Sequence, residues 1–196
     1  RESQEEALYR SRNLELLDSA LALRSPVLCL QEFWHQSPVL AALYRQELVR
    51  QGYHVHVTPR TNGRGDGLLT AVDRRRFEVV EARDVLFNDC GDRVASLLRL
   101  RSAAPGGQEL LLVNTHLLFP HNANSTVIRL REVYKISETL EAYMRSRALP
   151  PMPIVMCGDF NGTNQGRVAG FLRSQGWVSS LDAVLERSGD RGWPGE

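Results

Sequence analysis

Polar side chains of the kind that bind a cation or a phosphate follow three apolar segments of the chain. Glu32 follows the first segment, Asn114 and His116 close the second, and Asp159 and Asn161 follow the third. Side chains alternate across a β-strand, so each polar group shares a face with apolar residues of its own segment. The strand provides rigidity and the loop after it provides access. The three segments therefore predict one site at the rim of a sheet.

These residue types favour a hard divalent cation. Glu32 and Asp159 offer carboxylate oxygens, which suit Mg²⁺ or Mn²⁺, whereas zinc favours several histidines or cysteines. Each residue also has a simpler interpretation. Glu32 is then a solvated carboxylate at a strand end, His116 is a hydrogen-bonded core histidine, and residues 159–162 form a turn that closes a strand. The spacing alone decides little, and the joint occurrence of these residues favours a site.

The composition is that of an ordinary globular domain. The chain has 196 residues, of which 42% are hydrophobic and 24% charged, so it is long enough to bury a sizeable core. A formal net charge of +1 gives no general attraction to polyanions, so any such contact must be local. The sequence contains neither an apolar segment long enough to cross a bilayer nor a signal-peptide pattern. We therefore expect an intracellular protein, cytoplasmic or nuclear.

The cysteines and the first residue add two expectations. Cys29, Cys90 and Cys157 are odd in number, and two of them lie in apolar strand segments, where free thiols are common. This favours a reducing compartment over a disulfide or zinc framework. The chain opens with Arg1 inside a helical pattern, which predicts a fragment whose missing start hides any organelle-targeting segment.

Hydrophobic periodicity predicts a mixed α/β layered domain over residues 1–185. Residues 186–196 are polar and glycine-rich without periodicity, which predicts a disordered tail. The predicted helices cover 2–24, 38–51, 126–147 and 166–175, and the predicted strands cover 27–31, 53–58, 68–72, 77–86, 94–100, 109–115 and the segment that begins at 154.

Arginines and aromatic residues near the three segments are candidates for substrate contacts. A local basic rim would meet phosphates, although the two helical arginines also fit an exposed helix face. Aromatic side chains would stack bases, although aromatics near strand ends more often belong to the core. The arginines are Arg60, Arg64, Arg129 and Arg131, and the aromatic residues are Trp34, Phe119 and Tyr134.

Taken in order, these motifs resemble those of the endonuclease/exonuclease/phosphatase superfamily, the DNase I-like metal-dependent phosphoesterases. The resemblance is closest to the carbon catabolite repressor, or deadenylase-like, branch with its plant and algal members, and it covers roughly residues 26–182. Each motif is weak alone, but three in the family's order are specific. The matching pieces are Leu30-Gln31-Glu32, Asn114-Thr115-His116-Leu117, Gly158-Asp159-Phe160-Asn161, and Asp66-Gly67-Leu68-Leu69 with Arg74–Phe77 as a middle strand pair.

The resemblance implies a four-layered α/β sandwich that hydrolyses phosphoesters with a divalent metal. Glu32 and Asp159 would bind the metal, and Asp159 would also orient or deprotonate the attacking water. Asn161 would help to hold the phosphate and that acid. His116 would donate to a phosphate oxygen in the transition state, and Asn114 would support the same pocket. Apart from the resemblance, Arg129 and Arg131 of the possible basic rim are the arginines that we predict to contact the substrate.

Two departures from the family pattern qualify these expectations. The family begins with a strand that ends in a metal-site asparagine and ends with an aspartate-histidine pair, and neither has a match here. We therefore expect a domain that is incomplete at both ends, with weak or no activity by itself. The preferred hypothesis is a 3′ exonuclease on RNA. The alternatives are a phosphatase or phosphodiesterase on inositol phosphates or sphingolipids, and a non-catalytic binding domain of the same fold.

Overall fold

Two β-sheets pack face to face, and helices cover their outer faces. The computed structural model describes residues 5–188, so the first three residues of the predicted first helix (2–4) and the predicted tail from 189 onward lie outside it. Within this range the helices are α1 (Glu6–Ala22), α2 (Pro38–Arg50), α3 (Ser125–Ser146), α4 (Arg167–Ser174) and α5 (Ser180–Ser188), and the strands are β1 (Val27–Phe33), β2 (Tyr53–Pro59), β3 (Gly67–Asp73), β4 (Phe77–Leu86), β5 (Val94–Ser102), β6 (Glu109–His116) and β7 (Ile154–Asp159).

The strand order brings the ends of β6 and β7 together. One sheet has the order β1-β3-β2 and the other has the order β4-β5-β6-β7. The strand pairs are antiparallel except β6 and β7, which are parallel. A parallel pair needs a crossover connection, and α3 provides it. As a result His116 is paired directly with Asp159 at the carboxyl ends of the two strands.

Three apolar layers hold the sheets and helices together. Side chains such as Val72 and Leu112 fill the space between the two sheets. Leu17 of α1 and Leu48 of α2 pack on the outer face of the three-stranded sheet. Ile136 of α3 belongs to the cluster on the outer face of the four-stranded sheet. The expected four-layered α/β sandwich is therefore confirmed. None of the described helices has the length and apolar character that a membrane crossing requires.

Local sequence signals explain most element ends. The Ser37 hydroxyl accepts the backbone N–H of Leu40 at 3.3 Å and caps α2, and Pro38 occupies its first turn. Gly52 has a φ of +90° where the helix ends and β2 begins.

Helix α5 was not predicted. The Ser179 hydroxyl accepts the backbone N–H of Asp182 at 3.3 Å. The sequence signal for this helix is therefore the serine followed three residues later by an acid. Residues 186–188 are helical, unlike the predicted tail, and the remainder of that tail lies outside the described residues.

We predict that Gly158→Ala lowers the free energy of unfolding by about 3 kcal/mol or more. Gly158 has a φ of +139°, and a Cβ there would overlap the backbone of Thr115 on the neighbouring strand. Urea unfolding monitored by circular dichroism measures this change. The matched control is Gly170→Ala in α4, where a Cβ meets open space and alanine should stabilise the helix by up to about 1 kcal/mol. Equal midpoints for the two variants would contradict the proposed close approach of β6 and β7.

Candidate active site

His116 and Asp159 form the centre of the site. The His116 Nε2 atom lies 3.6 Å from Asp159 Oδ2, which is longer than a hydrogen bond. The side chain of His116 is 6% exposed, whereas that of Asp159 is 53% exposed. The backbone N–H of Leu117 also donates to the Asp159 carbonyl at 2.9 Å, which continues the strand pairing past His116. The site therefore presents a solvent-facing carboxylate beside a buried imidazole.

Asn161 holds this corner together from a turn. Its backbone N–H donates to Asp159 Oδ1 at 2.8 Å, and its side-chain Nδ2 donates to the Leu117 carbonyl at 2.8 Å. The strand β7 ends at Asp159, and Asn161 has a φ of +48°. Asn161 does lie beside Asp159, as predicted, but the predicted cause, alternation along one strand, was wrong. A left-handed turn, not the strand, brings Asn161 to the site.

Glu32 lies in an irregular part of β1. The pairing of β1 with β3 shifts between Leu30 and Phe33, and Glu32 has a φ of +55° and is exposed. Regular alternation would have placed Glu32 with Leu28 and Leu30, which belong to the apolar layer beneath α1 and α2. The predicted shared face is therefore wrong, because the bulge turns the carboxylate out of that layer.

Arg93 contacts His116 from behind and was missed in the sequence. Its Nη1 atom lies 2.9 Å from His116 Nδ1, and the Arg93 side chain is buried. A guanidinium only donates, so Nδ1 is the acceptor and the neutral imidazole carries its proton on Nε2, facing Asp159. The sequence feature that could have pointed to Arg93 is its position directly before the fully buried segment that opens β5.

The electrostatic environment keeps His116 neutral. Burial and the positive charge of Arg93 lower the pKa of His116 below its usual value. The negative charges of Asp159 and Glu32 raise that pKa and offset only part of the decrease. The charge of Glu32 in β1 therefore acts on the same imidazole as the charge of Asp159, which is paired with His116 at the end of β7.

Asn114 lies beneath the rim and does not reach solvent. Its side chain is fully buried and its Oδ1 accepts Gln31 Nε2 at 2.8 Å. Its Nδ2 donates to the Leu69 carbonyl at 3.3 Å and to Thr70 Oγ1 at 3.2 Å. Asn114 was expected to support the phosphate pocket as a substrate-binding residue, but its buried side chain contacts the two sheets beneath the site and does not reach the substrate side.

The two helical arginines do not form a common rim. Arg129 is buried and donates to the Leu118 carbonyl at 3.2 Å, whereas Arg131 is exposed. The fully buried Glu132 accepts the Leu118 N–H at 2.9 Å, and burial raises its pKa to about 7. Arg129 thus holds the loop after His116 rather than facing solvent. Glu132 was missed because it falls between apolar positions of an amphipathic helix.

The other predicted arginines are paired with acids. Arg60 contacts Asp66 at 3.1 Å and Asp92 at 2.5 Å, and Arg64 contacts Asp92 at 2.5 Å. These ion pairs fix the glycine-rich loop to the start of β5 and neutralise most of its positive charge. The expected basic rim is therefore not present at Arg60 and Arg64.

The predicted aromatic residues lie on the surface, contrary to the expectation that they belong to the core. Trp34 is 57% exposed two residues after Glu32, and Phe119 is 53% exposed three residues after His116. Tyr134 is also 53% exposed, on α3. Exposed rings therefore follow two of the strand ends that form the site.

The donor groups fit a hard cation better than zinc. The described residues contain no group of three or more histidine, cysteine or acidic side chains placed to hold a metal. Magnesium needs only one or two carboxylates when water and substrate phosphate complete its shell. Glu32 and Asp159 supply such carboxylates, and both are exposed.

Two curated relatives from Arabidopsis thaliana match most of the chain. An uncharacterized calcium-binding protein is 48% identical over 190 residues, which are 93% of this chain and 39% of that protein. Carbon catabolite repressor protein 4 homolog 3 is 33% identical over 129 residues, which are 64% of this chain and 28% of that protein. The chain thus spans well under half of the length of these relatives.

A solved structure and a family model agree with these relatives. The crystal structure of ANGEL2, a 2′,3′-cyclic phosphatase, in complex with adenosine-2′,3′-vanadate is 27% identical, with a TM-score of 0.71 over 81% of this chain and 46% of that one. The resemblance to the carbon catabolite repressor branch is confirmed. Because the model of the Endonuclease/Exonuclease/phosphatase family matches residues 6–195, nearly the whole sequence, the chain belongs to that family.

Proposed function

We propose that this chain is the core of a divalent-metal-dependent phosphoesterase that acts on RNA as a 3′ exonuclease. The observation that carries the proposal is the pairing of His116 with Asp159 at the carboxyl ends of β6 and β7, with the charge of Glu32 in β1 acting on the same imidazole. The negative charges of Glu32 and Asp159 both raise the pKa of the buried His116, and both carboxylates are exposed to solvent. This arrangement suits a site that holds an anionic substrate through a cation and a directed hydrogen-bond donor.

Glu32 and Asp159 would hold Mg²⁺ or Mn²⁺, which lowers the pKa of a bound water and neutralises charge on the phosphate. Asp159 Oδ1 accepts the Asn161 N–H, so Asp159 is fixed while Oδ2 remains available to orient or deprotonate the attacking water. His116 carries its proton on Nε2 and would donate it as a hydrogen bond to a phosphate oxygen. The gap of 3.6 Å between Nε2 and Oδ2 leaves both atoms free for substrate.

Three observations support a ribonucleotide substrate. Trp34 and Phe119 offer exposed rings near the site for base stacking. ANGEL2 is named a 2′,3′-cyclic phosphatase and was crystallised with an adenosine-2′,3′-vanadate. The sequence contains a single lysine, Lys135, which pairs with Asp89, so a lysine-rich rim, one of the two features (lysine-rich or apolar) that would favour a lipid head group, cannot form. The name of ANGEL2 favours a second candidate activity, hydrolysis of a 2′,3′-cyclic phosphate at an RNA end.

We predict that Glu32→Gln and Asp159→Asn each reduce turnover by roughly 100-fold or more, because each removes a charge that holds the cation or orients the water. Both residues are exposed, so circular dichroism should show an intact fold. The substrates are labelled oligoadenylate, an RNA that ends in a 2′,3′-cyclic phosphate, and bis-p-nitrophenyl phosphate. Each is tested with Mg²⁺, Mn²⁺ and Ca²⁺, since one relative is named a calcium-binding protein.

The matched control is Glu78→Gln, which removes an exposed carboxylate of β4 that pairs with Arg101. It should retain full turnover. Turnover that survives both active-site substitutions would refute the proposed site. Metal-dependent binding of the RNA without hydrolysis would instead indicate the non-catalytic alternative.

We predict that Arg93→Gln raises the pKa of His116, because it removes a positive charge that disfavours the imidazolium. In the unchanged protein the folded pKa lies below the value of the unfolded chain, so the histidine is neutral near pH 7 and stability falls as the pH drops below about 6.5. NMR titration of the imidazole nitrogens measures the shift. Arg75→Gln, in the exposed turn before β4, is the control that should leave the titration unchanged. An unchanged His116 titration in Arg93→Gln would contradict the contact.

A further inference from the structure

Cys29 of β1 and Cys157 of β7 face each other across the space between the two sheets. Cys29 is paired with Thr70 in one sheet, and Cys157 is paired with Asn114 in the other. The side chains of Thr70 and Asn114 are in direct contact, with Nδ2 3.2 Å from Oγ1. Their strand neighbours Cys29 and Cys157 both pack in the apolar cluster between the sheets, where the two thiols lie close enough to interact.

Neither thiol is fully buried. Both residues have intermediate exposure, so a small oxidant can reach the pair. The thiolate is the nucleophilic form of cysteine. The Cys157 Sγ also lies 3.5 Å from the Val113 carbonyl, which orients it within the layer.

We propose that Cys29 and Cys157 form a reversible intramolecular disulfide when the protein meets a hydroperoxide. One of the two cysteines, as its thiolate, attacks one oxygen of the hydroperoxide, so that a sulfur–oxygen bond forms, the oxygen–oxygen bond breaks and an alcohol or water leaves after protonation. The other cysteine, as its thiolate, then attacks the sulfur of the resulting sulfenic acid, forms the sulfur–sulfur bond and releases hydroxide, which is protonated to water. The two thiols lose two electrons and the hydroperoxide gains them.

The disulfide would act on the candidate active site through the strands. Cys29 precedes Glu32 by three residues, and Cys157 precedes Asp159 by two. A disulfide bond is shorter than any contact between two thiols, so oxidation draws β1 and β7 together. A misplacement of about 1 Å in a catalytic group can reduce turnover by roughly 100-fold. This consequence rests on the proposed phosphoesterase function, whereas the disulfide itself does not.

The test uses the complete chain treated with hydrogen peroxide and digested without reduction. Mass spectrometry should find one peptide pair that joins Cys29 to Cys157, and two of the three thiols should disappear and return after treatment with dithiothreitol. The pair should also form in Cys90→Ser, because Cys90 is buried in the separate layer beneath α3. Cys29→Ser and Cys157→Ser should each abolish it.

The outcomes separate the disulfide from the activity. Absence of the linked peptide, or linkage through Cys90, would overturn the proposal whatever the turnover. If the pair forms, the oxidised chain should hydrolyse its best phosphoester substrate at least several-fold more slowly than the reduced chain, with recovery on reduction. Equal turnover in the two states would overturn the coupling to the site. A chain without any turnover would refute the proposed function while leaving the covalent result intact.

Discussion

The buried amide of Asn114 is the contact on which the candidate site depends. It belongs to β6, accepts from Gln31 of β1 and donates to Thr70 of β3, so one side chain joins strands of both sheets. A buried amide without partners would be costly, which means that the sheets must keep the spacing that satisfies it. Gln31 directly precedes Glu32, and the backbone beside Asn114 leads to His116. The buried hydrogen bonds of Asn114 therefore help to set the distance between the carboxylates and the imidazole.

Buried charges fix the loop that follows His116. Arg129 and Glu132 both come from α3, and each holds Leu118, one through its carbonyl and the other through its N–H. Arg93 lies close enough to Glu132 to lower the pKa of that carboxyl, although burial dominates and the net effect is a rise. Buried charged groups usually need hydrogen-bond partners, but among the described residues Nε of Arg93, Nε of Arg129 and Oε1 of Glu132 have none, so these groups are only partly satisfied. Here the buried side chains do not face solvent, and the hydrogen bonds that they do form position the imidazole and the loop.

The fold was predictable because its signals are local and repeated. The apolar periods of the helices, the proline after Ser37, the alternation within β2 and the apolar segments of the other strands place most elements within a few residues of their observed ends. The candidate site was predictable as a set of residue types at strand ends. The partners of those residues were not, because Arg93 and Glu132 become buried only through contacts between segments distant in sequence. The pairing of Arg60 and Arg64 with Asp92 has the same origin, since no sequence pattern links the glycine-rich loop to β5.

At the residues proposed to carry the chemistry, the backbone departs from regular strand geometry, so the side chains do not alternate between the two faces of the strand. Glu32 and Asn161 have φ values of +55° and +48°, and Gly158 has a φ of +139°. Non-glycine residues in this region are uncommon and carry strain, so surrounding contacts must maintain them. A regular β1 would direct Glu32 into the apolar layer with Leu28, where an unpaired carboxylate would be neutralised or destabilising. The bulge therefore allows one strand to fill the core with its apolar residues and still present a charged carboxylate at the rim.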